Sequence, residues 1–169
     1  MVQAIDVHTH VVPHHISARA SSSKFWPSIA LDQDGSGDAS VLIDGKVFRR
    51  IDSRCWDVPR RLADMREDNV DVHVLSPMPE LLSHWLPAEE AEVLADLMNG
   101  HIARMIAEAP DQFVGLGMIC MQDVNRAVAQ LRKLRDLGLR GFEIGTHIDG
   151  TSLGSETLFA IYEAAADLD

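Results

Sequence analysis

The sequence predicts an α/β fold with a parallel sheet, of the (β/α)8 TIM-barrel type, of which this chain supplies about the first four βα units. Strand-like apolar runs alternate with helical patterns along the 169 residues, and this alternation is typical of parallel sheets. The strand-like runs are almost continuously apolar, as in strands buried on both faces. Four units are half of an eightfold barrel, and a small open four-stranded α/β sheet is the alternative. Residues 1–169 are expected to form one domain.

The first predicted strand lies within residues 3–13 and ends in His8-Thr9-His10. Side chains two positions apart in a strand point to the same side, so His8 and His10 are expected to project together at its carboxyl end. Neutral imidazole binds zinc, iron, cobalt and nickel well. Asp6 lies where it could orient one imidazole from behind. The pair is therefore a candidate for half of a metal site, whereas two solvated loop histidines are the commoner outcome of this spacing.

Residues 14–52 are predicted to be an insertion after the first strand. Ala18–Ser40 is rich in Ser, Gly and Asp, which favours loop structure. Asp44-Gly45 separates two short β-favouring runs, Val41–Ile43 and Lys46–Ile51, and this pattern predicts a hairpin. So long a connection is typical of a functional segment, such as a lid or a pocket wall.

The remaining elements follow from helix caps and periodicity. Asp57, Asp123 and Ser155 are suitable N-caps for three of the helices. The predicted order is a helix from Asp57 to near Asn69, a strand Val70–Ser76, a helix Pro87–Ala109, a strand Phe113–Cys120, a helix Asp123–Gly138, a strand Gly141–Gly145 and a last helix after Ser155.

Charge and composition narrow the possible partners and the compartment. The net charge is −11, from 15 Lys and Arg against 26 Asp and Glu, and there is no basic block, which argues against nucleic acid or an anionic membrane as a partner. No apolar run reaches transmembrane length, so a cytoplasmic location is expected. Cys55 and Cys120 lack metal or redox spacing and are expected to be free, buried or partly buried thiols.

The other histidines are expected to have structural roles. His147 is expected to be a loop histidine with a local hydrogen bond, and a third metal ligand is the less favoured alternative. The rest are expected at the surface (His14 and His15), in the core (His73), in a loop (His84) and on a helix surface (His101). Glu143 is an acid within an apolar strand. It is a weak pocket candidate, because an interior carboxylate needs a partner.

Seven segments in order resemble the amidohydrolase superfamily (amidohydrolase 2), in its decarboxylase branch. The segments are Ile5–His10, Phe48-Arg49, Cys55–Asp57 with Arg61–Met65, Val74–Pro77, Phe113–Gly117 and Glu143–His147. The resemblance covers essentially the whole chain, but only the N-terminal half of such a protein.

This resemblance implies a TIM-type barrel with one divalent metal, most often zinc, and His8 and His10 as two of its ligands. It also implies that Arg49 holds the carboxylate of a small-molecule substrate. A guanidinium pairs with a carboxylate through two parallel bonds, although hairpin arginines are more often solvated, and Arg50 is expected to point the other way. The implied activity is a metal-dependent carboxy-lyase on a small unsaturated or aromatic carboxylate. A hydrolase or hydratase of the same fold is the alternative.

The chain departs from that family in what it lacks. Family members add a histidine ligand at the fifth strand, a catalytic histidine at a later strand and an aspartate ligand at the eighth. No catalytic residue is therefore assigned within this chain, and a catalytic metal needs about three protein ligands. An inactive truncated or split-half protein is the non-enzymatic alternative. Unpaired strand edges invite association, so a homo-oligomer is expected.

Overall fold

The computed structural model describes residues 4–18 and 23–168, which form a mixed α/β fold. The strands are β1 Ile5–Val11, β2 Ser28–Leu31, β3 Ala39–Ile43, β4 Lys46–Ile51, β5 Val72–Pro77, β6 Phe113–Gly115, β7 His147–Ile148 and β8 Thr151–Ser152. The helices are α1 Val58–Asp68, α2 Ala88–Glu108, α3 Val124–Asp136 and α4 Phe159–Leu168. Single 3-10 turns occupy Ser53–Cys55, Pro79–Leu81 and Glu156–Leu158.

The main sheet is parallel, with strand order β1-β5-β6. His10 lies beside Ser76 in the register of β1 and β5, so the carboxyl ends of the two strands meet. The segment 141–145 continues the sheet beside the chain that follows β6, through one parallel bridge between Gly117 and Phe142. The Glu143 amide donates to the Gly117 carbonyl at 2.8 Å. The predicted parallel α/β architecture is confirmed.

Regular strand pairing ends earlier than the sequence predicts. Only Phe113–Gly115 of the expected strand Phe113–Cys120 is a regular strand. At Met118 and Cys120, helix side chains replace a neighbouring strand as hydrogen-bond partners of the backbone. Asn99 of α2 accepts from the Met118 amide and donates to the Met118 carbonyl, both at 2.8 Å. Gln130 of α3 accepts from the Cys120 amide at 2.7 Å.

Two of the three predicted helix caps are confirmed. Asp57 accepts from the Arg60 amide and Asp123 from the Arg126 amide, which satisfies free amides in the first turn of α1 and α3. The predicted cap at Ser155 is wrong. Ser155 precedes a 3-10 turn and makes no cap hydrogen bond. Its hydroxyl pairs instead with that of Thr157 at 2.9 Å.

The insertion is a three-stranded antiparallel sheet, β2-β3-β4, rather than a hairpin alone. The hairpin β3–β4 is confirmed, and Asp44 and Gly45 at its tip both have positive φ, as its tight turn requires. The strand β2 was not predicted. It is only four residues long and lies within a Ser-, Gly- and Asp-rich stretch that favours loop structure. It pairs antiparallel with β3, and this pairing is not visible in the local sequence pattern.

The main core lies between the parallel sheet and helices α2 and α3. Its fully or almost fully buried side chains include Leu75, Leu94, Met98, Ile102, Leu131 and Leu134. Cys120 is buried and Cys55 partly buried, and both are free thiols, as predicted. Within residues 4–18 and 23–168, none of the helices has the length and apolar character that crossing a membrane requires.

Candidate active site

The histidine pair lies at the carboxyl end of β1. The ring centroids of His8 and His10 are 4.7 Å apart, with an edge-to-face angle of 75°. His8 is exposed and His10 is partly buried beside β5. The predicted juxtaposition of the two imidazoles is therefore present in the fold.

Hydrogen bonding identifies the nitrogen of His10 that is free to bind a metal. His10 Nδ1 lies 2.9 Å from the Pro77 carbonyl oxygen and 3.1 Å from Ser76 Oγ. A carbonyl oxygen can only accept, so Nδ1 carries the proton and donates it. The lone pair of the neutral ring is then on Nε2. Histidines that bind metals are commonly held in this way, with the other ring nitrogen donating to a carbonyl.

Asp6 has a different role from the one expected. Its Oδ1 accepts from the backbone amide of His8 at 2.9 Å, so it holds the chain before the pair and does not orient an imidazole. The reason is local, because an aspartate readily bonds the backbone amide two residues further on.

Glu143 faces the same space as His10. Its Oε2 lies 3.9 Å from His10 Nδ1, and both side chains are 23% exposed. Oε2 is buried and has no hydrogen-bond partner among the described residues. The sequence singled out this residue as an acid in an apolar run, and the structure places it beside the histidine pair.

The donors present suit a divalent transition metal but do not complete a site. Two adjacent imidazoles, one with a free Nε2, and a nearby carboxylate are typical surroundings for zinc or a similar ion. Within the described part of the chain, no group of three or more His, Cys, Asp or Glu side chains has the arrangement to hold an ion. The described residues therefore fit a metal as a partial ligand set.

Arg61 supports the pair from behind and was not predicted to do so. It is 7% exposed, and its Nη2 donates to the carbonyls of His10 at 2.9 Å and Arg54 at 2.6 Å. Desolvation lowers the pKa of Arg61, and nearby acids oppose this. The sequence did contain a signal that Arg61 is buried, because it lies on the same helix face as Val58 and Met65, the other buried residues of α1.

Arg49 reaches the loop that follows β5. Its Nη2 lies 2.5 Å from Oε1 of Glu80, with the Arg49 side chain 53% exposed and Glu80 only 14% exposed. Arg50 is 78% exposed and faces Asp32 at 3.7 Å, so the neighbouring arginines have different partners. Among the described contacts, Arg49 meets Glu80 and not the histidine pair.

The remaining histidines mostly occupy the predicted places. His147 Nδ1 accepts from the Gly150 amide at 3.2 Å, which confirms a local hydrogen bond. His14 and His15 are exposed, as expected. His73 is half-buried, and its Nδ1 lies 3.3 Å from Arg61 Nη1. Burial first, and then the Arg61 charge, lower the pKa of His73.

The position of His101 and the surroundings of His84 differ from expectation. His101 is buried, not on a helix surface, because the loop after β1 covers this face of α2 and brings the His15 ring to 6.3 Å. Burial lowers the pKa of His101 to about 4, although a hydrogen bond to the Cys55 backbone opposes the shift. His84 lies in a loop, as expected. Both of its ring nitrogens are nevertheless buried without a partner in the described structure, and burial lowers the pKa of His84.

Sequence comparison identifies similar proteins of greater length. A family described as Amidohydrolase matches residues 5–169. The 2-amino-3-carboxymuconate-6-semialdehyde decarboxylase of Dictyostelium discoideum is 37% identical over 165 residues, which cover 97% of this chain and 46% of that protein. The chain thus spans about half the length of this curated relative.

Solved structures give the same picture of the fold. The 5-carboxyvanillate decarboxylase of Novosphingobium aromaticivorans, complexed with manganese and 4-hydroxy-3-methoxy-5-nitrobenzoic acid, matches with a TM-score of 0.65 and 29% identity. The match covers 69% of this chain and 34% of that one. IDCase of Metarhizium anisopliae matches 98% of this chain and 48% of its own, with a TM-score of 0.75 and 18% identity. At that identity the likeness concerns the fold alone.

Proposed function

The chain belongs to the amidohydrolase family, and from this premise we propose that it is the N-terminal half of a metal-dependent decarboxylase acting on a small unsaturated or aromatic carboxylate. The observation that carries the proposal is the His8–His10 pair at the carboxyl end of β1, with His10 Nε2 left free by the bond from Nδ1 to Pro77. A relative and a structural neighbour that are both decarboxylases support this reaction over hydrolysis or hydration.

The fold proposal is that the parallel sheet forms the first four βα units of a (β/α)8 barrel, with residues 14–52 as an insertion. In barrels of this kind, sites lie at the carboxyl ends of the strands, where His8 and His10 lie. β1 is an edge strand of the β1-β5-β6 sheet, and its Ile5 and Val7 are 53% and 70% exposed. Further barrel strands would cover this edge.

His8 and His10 would hold one divalent metal, which we propose to be zinc because zinc commonly takes imidazole ligands. When bound, such a metal supplies Lewis-acid polarisation of substrate oxygens and lowers the pKa of bound water. The chain itself holds His10 in the required orientation through Pro77 and anchors the His10 backbone through Arg61. We propose that the remaining ligands and the catalytic group come from further strands, on the same polypeptide or on a partner.

Arg49 would bind the substrate carboxylate. Glu80 engages Nη2 of Arg49, and a guanidinium has five donor hydrogens, so donors remain for a second carboxylate. Glu80 is largely buried in the turn after β5, so this contact holds the half-exposed Arg49 against the loop that follows the carboxyl end of β5.

The setting we propose is a cytoplasmic homo-oligomer with no nucleic-acid or membrane partner. A net charge of −11 disfavours polyanionic partners. The exposed edge of β1 favours association, because unpaired strand edges and exposed apolar residues seek cover.

Metal content after extensive dialysis tests the proposal. Assembled with the strands that supply the remaining ligands, the wild-type chain should retain close to one equivalent of zinc or a similar ion, and a His8→Ala/His10→Ala variant should retain almost none. His14→Ala/His15→Ala is the matched control, since it also removes two adjacent imidazoles. Equal metal in all three proteins, or none in the wild type, would remove the pair from a metal site. Release of CO2 by a complete enzyme would separate decarboxylation from hydrolysis.

Titration with 4-hydroxy-3-methoxy-5-nitrobenzoate tests Arg49 separately. A charged hydrogen bond contributes about 1.5–3 kcal/mol, so Arg49→Ala should weaken binding about tenfold or more. Arg50→Ala is the control and should change affinity less than about twofold, because an exposed arginine away from the ligand contributes little. Equal losses in the two variants would indicate general charge attraction and exclude a specific role for Arg49.

A further inference from the structure

Among the described residues, Glu143 is the acid whose carboxylate lies within 4 Å of a ring nitrogen of the histidine pair. Its position is set by the backbone, because the Glu143 amide donates to Gly117 and the neighbouring Phe142 pairs with Gly117 in parallel register. The side chain therefore extends from the fourth segment of the sheet toward a histidine on the first strand.

The carboxylate lacks the partners that other acids in this protein have. Glu80 is paired with Arg49, and Glu92 is paired with Arg126 and lies 3.9 Å from Lys133. For Glu143, the only ionisable partner among the described ion pairs is the His10 ring, whose Nδ1 lies 3.9 Å away. That distance is too long for a hydrogen bond but short enough for strong attraction once the ring carries positive charge.

A buried carboxylate oxygen without a donor destabilises the fold by itself. It becomes favourable when positive charge appears next to it. A cation on His10 Nε2 would add positive charge to the ring, and the Glu143 carboxylate, 3.9 Å from Nδ1, would stabilise that charge. Carboxylates placed behind metal-bound histidines raise the basicity of the ligand and the affinity for the ion.

We propose that Glu143 is a positioning residue of the metal centre, which raises the affinity of the site for a divalent cation by acting through His10. This inference rests on the proposed metal role of the histidine pair. It assigns to Glu143 a function in metal binding and not a contact with the substrate.

The two expected effects of removing the charge have opposite signs. Glu143→Gln should weaken zinc binding about 10- to 100-fold, the range for partners behind metal ligands. The same variant, without metal, should be as stable as the wild type or more stable, because it no longer buries an unpaired charge. A purely structural glutamate would lower stability and affinity together.

The experiment is a competition titration of the full chain with zinc and a chromophoric chelator, with thermal unfolding of each metal-free protein. Glu143→Asp keeps the charge and should recover part of the affinity, and the exposed Glu163→Gln is the matched control. Zinc affinity of Glu143→Gln within about twofold of the wild type would overturn the inference alone. Equal affinity of the wild type and the His8→Ala/His10→Ala variant would overturn the proposed metal site, and the inference with it.

Discussion

Replacing Asn99 with alanine should strongly destabilise the protein. Asn99 is 2% exposed, and its side-chain amide makes two hydrogen bonds of 2.8 Å to the backbone of Met118, which is also buried. The variant leaves a buried amide and a buried carbonyl without these partners, at about 1–3 kcal/mol each. The expected loss in the free energy of unfolding is therefore about 2–6 kcal/mol.

Urea unfolding followed by circular dichroism measures this loss, and Asn125→Ala is the matched control. Asn125 is an exposed helical asparagine on α3, and a surface substitution of this kind changes stability by about 0.5 kcal/mol or less. A loss at Asn99 no larger than that at Asn125 would refute the claim that side-chain amides replace strand pairing after β6.

The structure supports two further predictions about stability. Since the pKa of buried His101 is lowered from 6.5 to about 4, the unfolded chain binds protons more readily, and this residue should cost up to about 3 kcal/mol of stability as the pH falls from 6.5 toward 4. Urea unfolding at pH 7 and pH 5 should show that the free energy of unfolding falls less in His101→Asn than in the wild type. An equal fall in both proteins would contradict the lowered pKa of His101. Gly117→Ala should destabilise by about 1–3 kcal/mol, because its Cβ would lie 2.5 Å from Leu134 and 2.6 Å from Asn99. The new Cβ of Gly100→Ala on α2 would meet only Arg104, at 3.7 Å, so this variant should be stabilised by about 0.5–1 kcal/mol. If the melting temperatures of the two glycine variants moved in the same direction, these two predictions would be contradicted.

Features that depend on neighbouring residues could be predicted from the sequence. Asp57 and Asp123 cap their helices because an aspartate can reach amides of the first turn from the cap position. Asp44-Gly45 turns the hairpin because these residues tolerate positive φ. His8 and His10 come together because strand geometry repeats every two residues.

Features that depend on distant segments could not be predicted in the same way. The strand β2 pairs with β3, and the backbone amides of Met118 and Cys120 are bonded by Asn99 and Gln130, which reach them from two helices. His101 was expected at a surface, since nothing in the pattern of α2 shows that the loop after β1 covers it.

The sequence by itself determined the alternation of strands and helices, the paired imidazoles at the end of β1 and, through its resemblance, the family. Only the tertiary structure decided what surrounds that pair. It showed Pro77 accepting from His10, Arg61 holding the backbone behind it, and Glu143 reaching it from another segment of the sheet. The physical reason is that local patterns are set by short stretches of backbone, whereas contacts between strands depend on sheet order and register, which appear only when the chain folds.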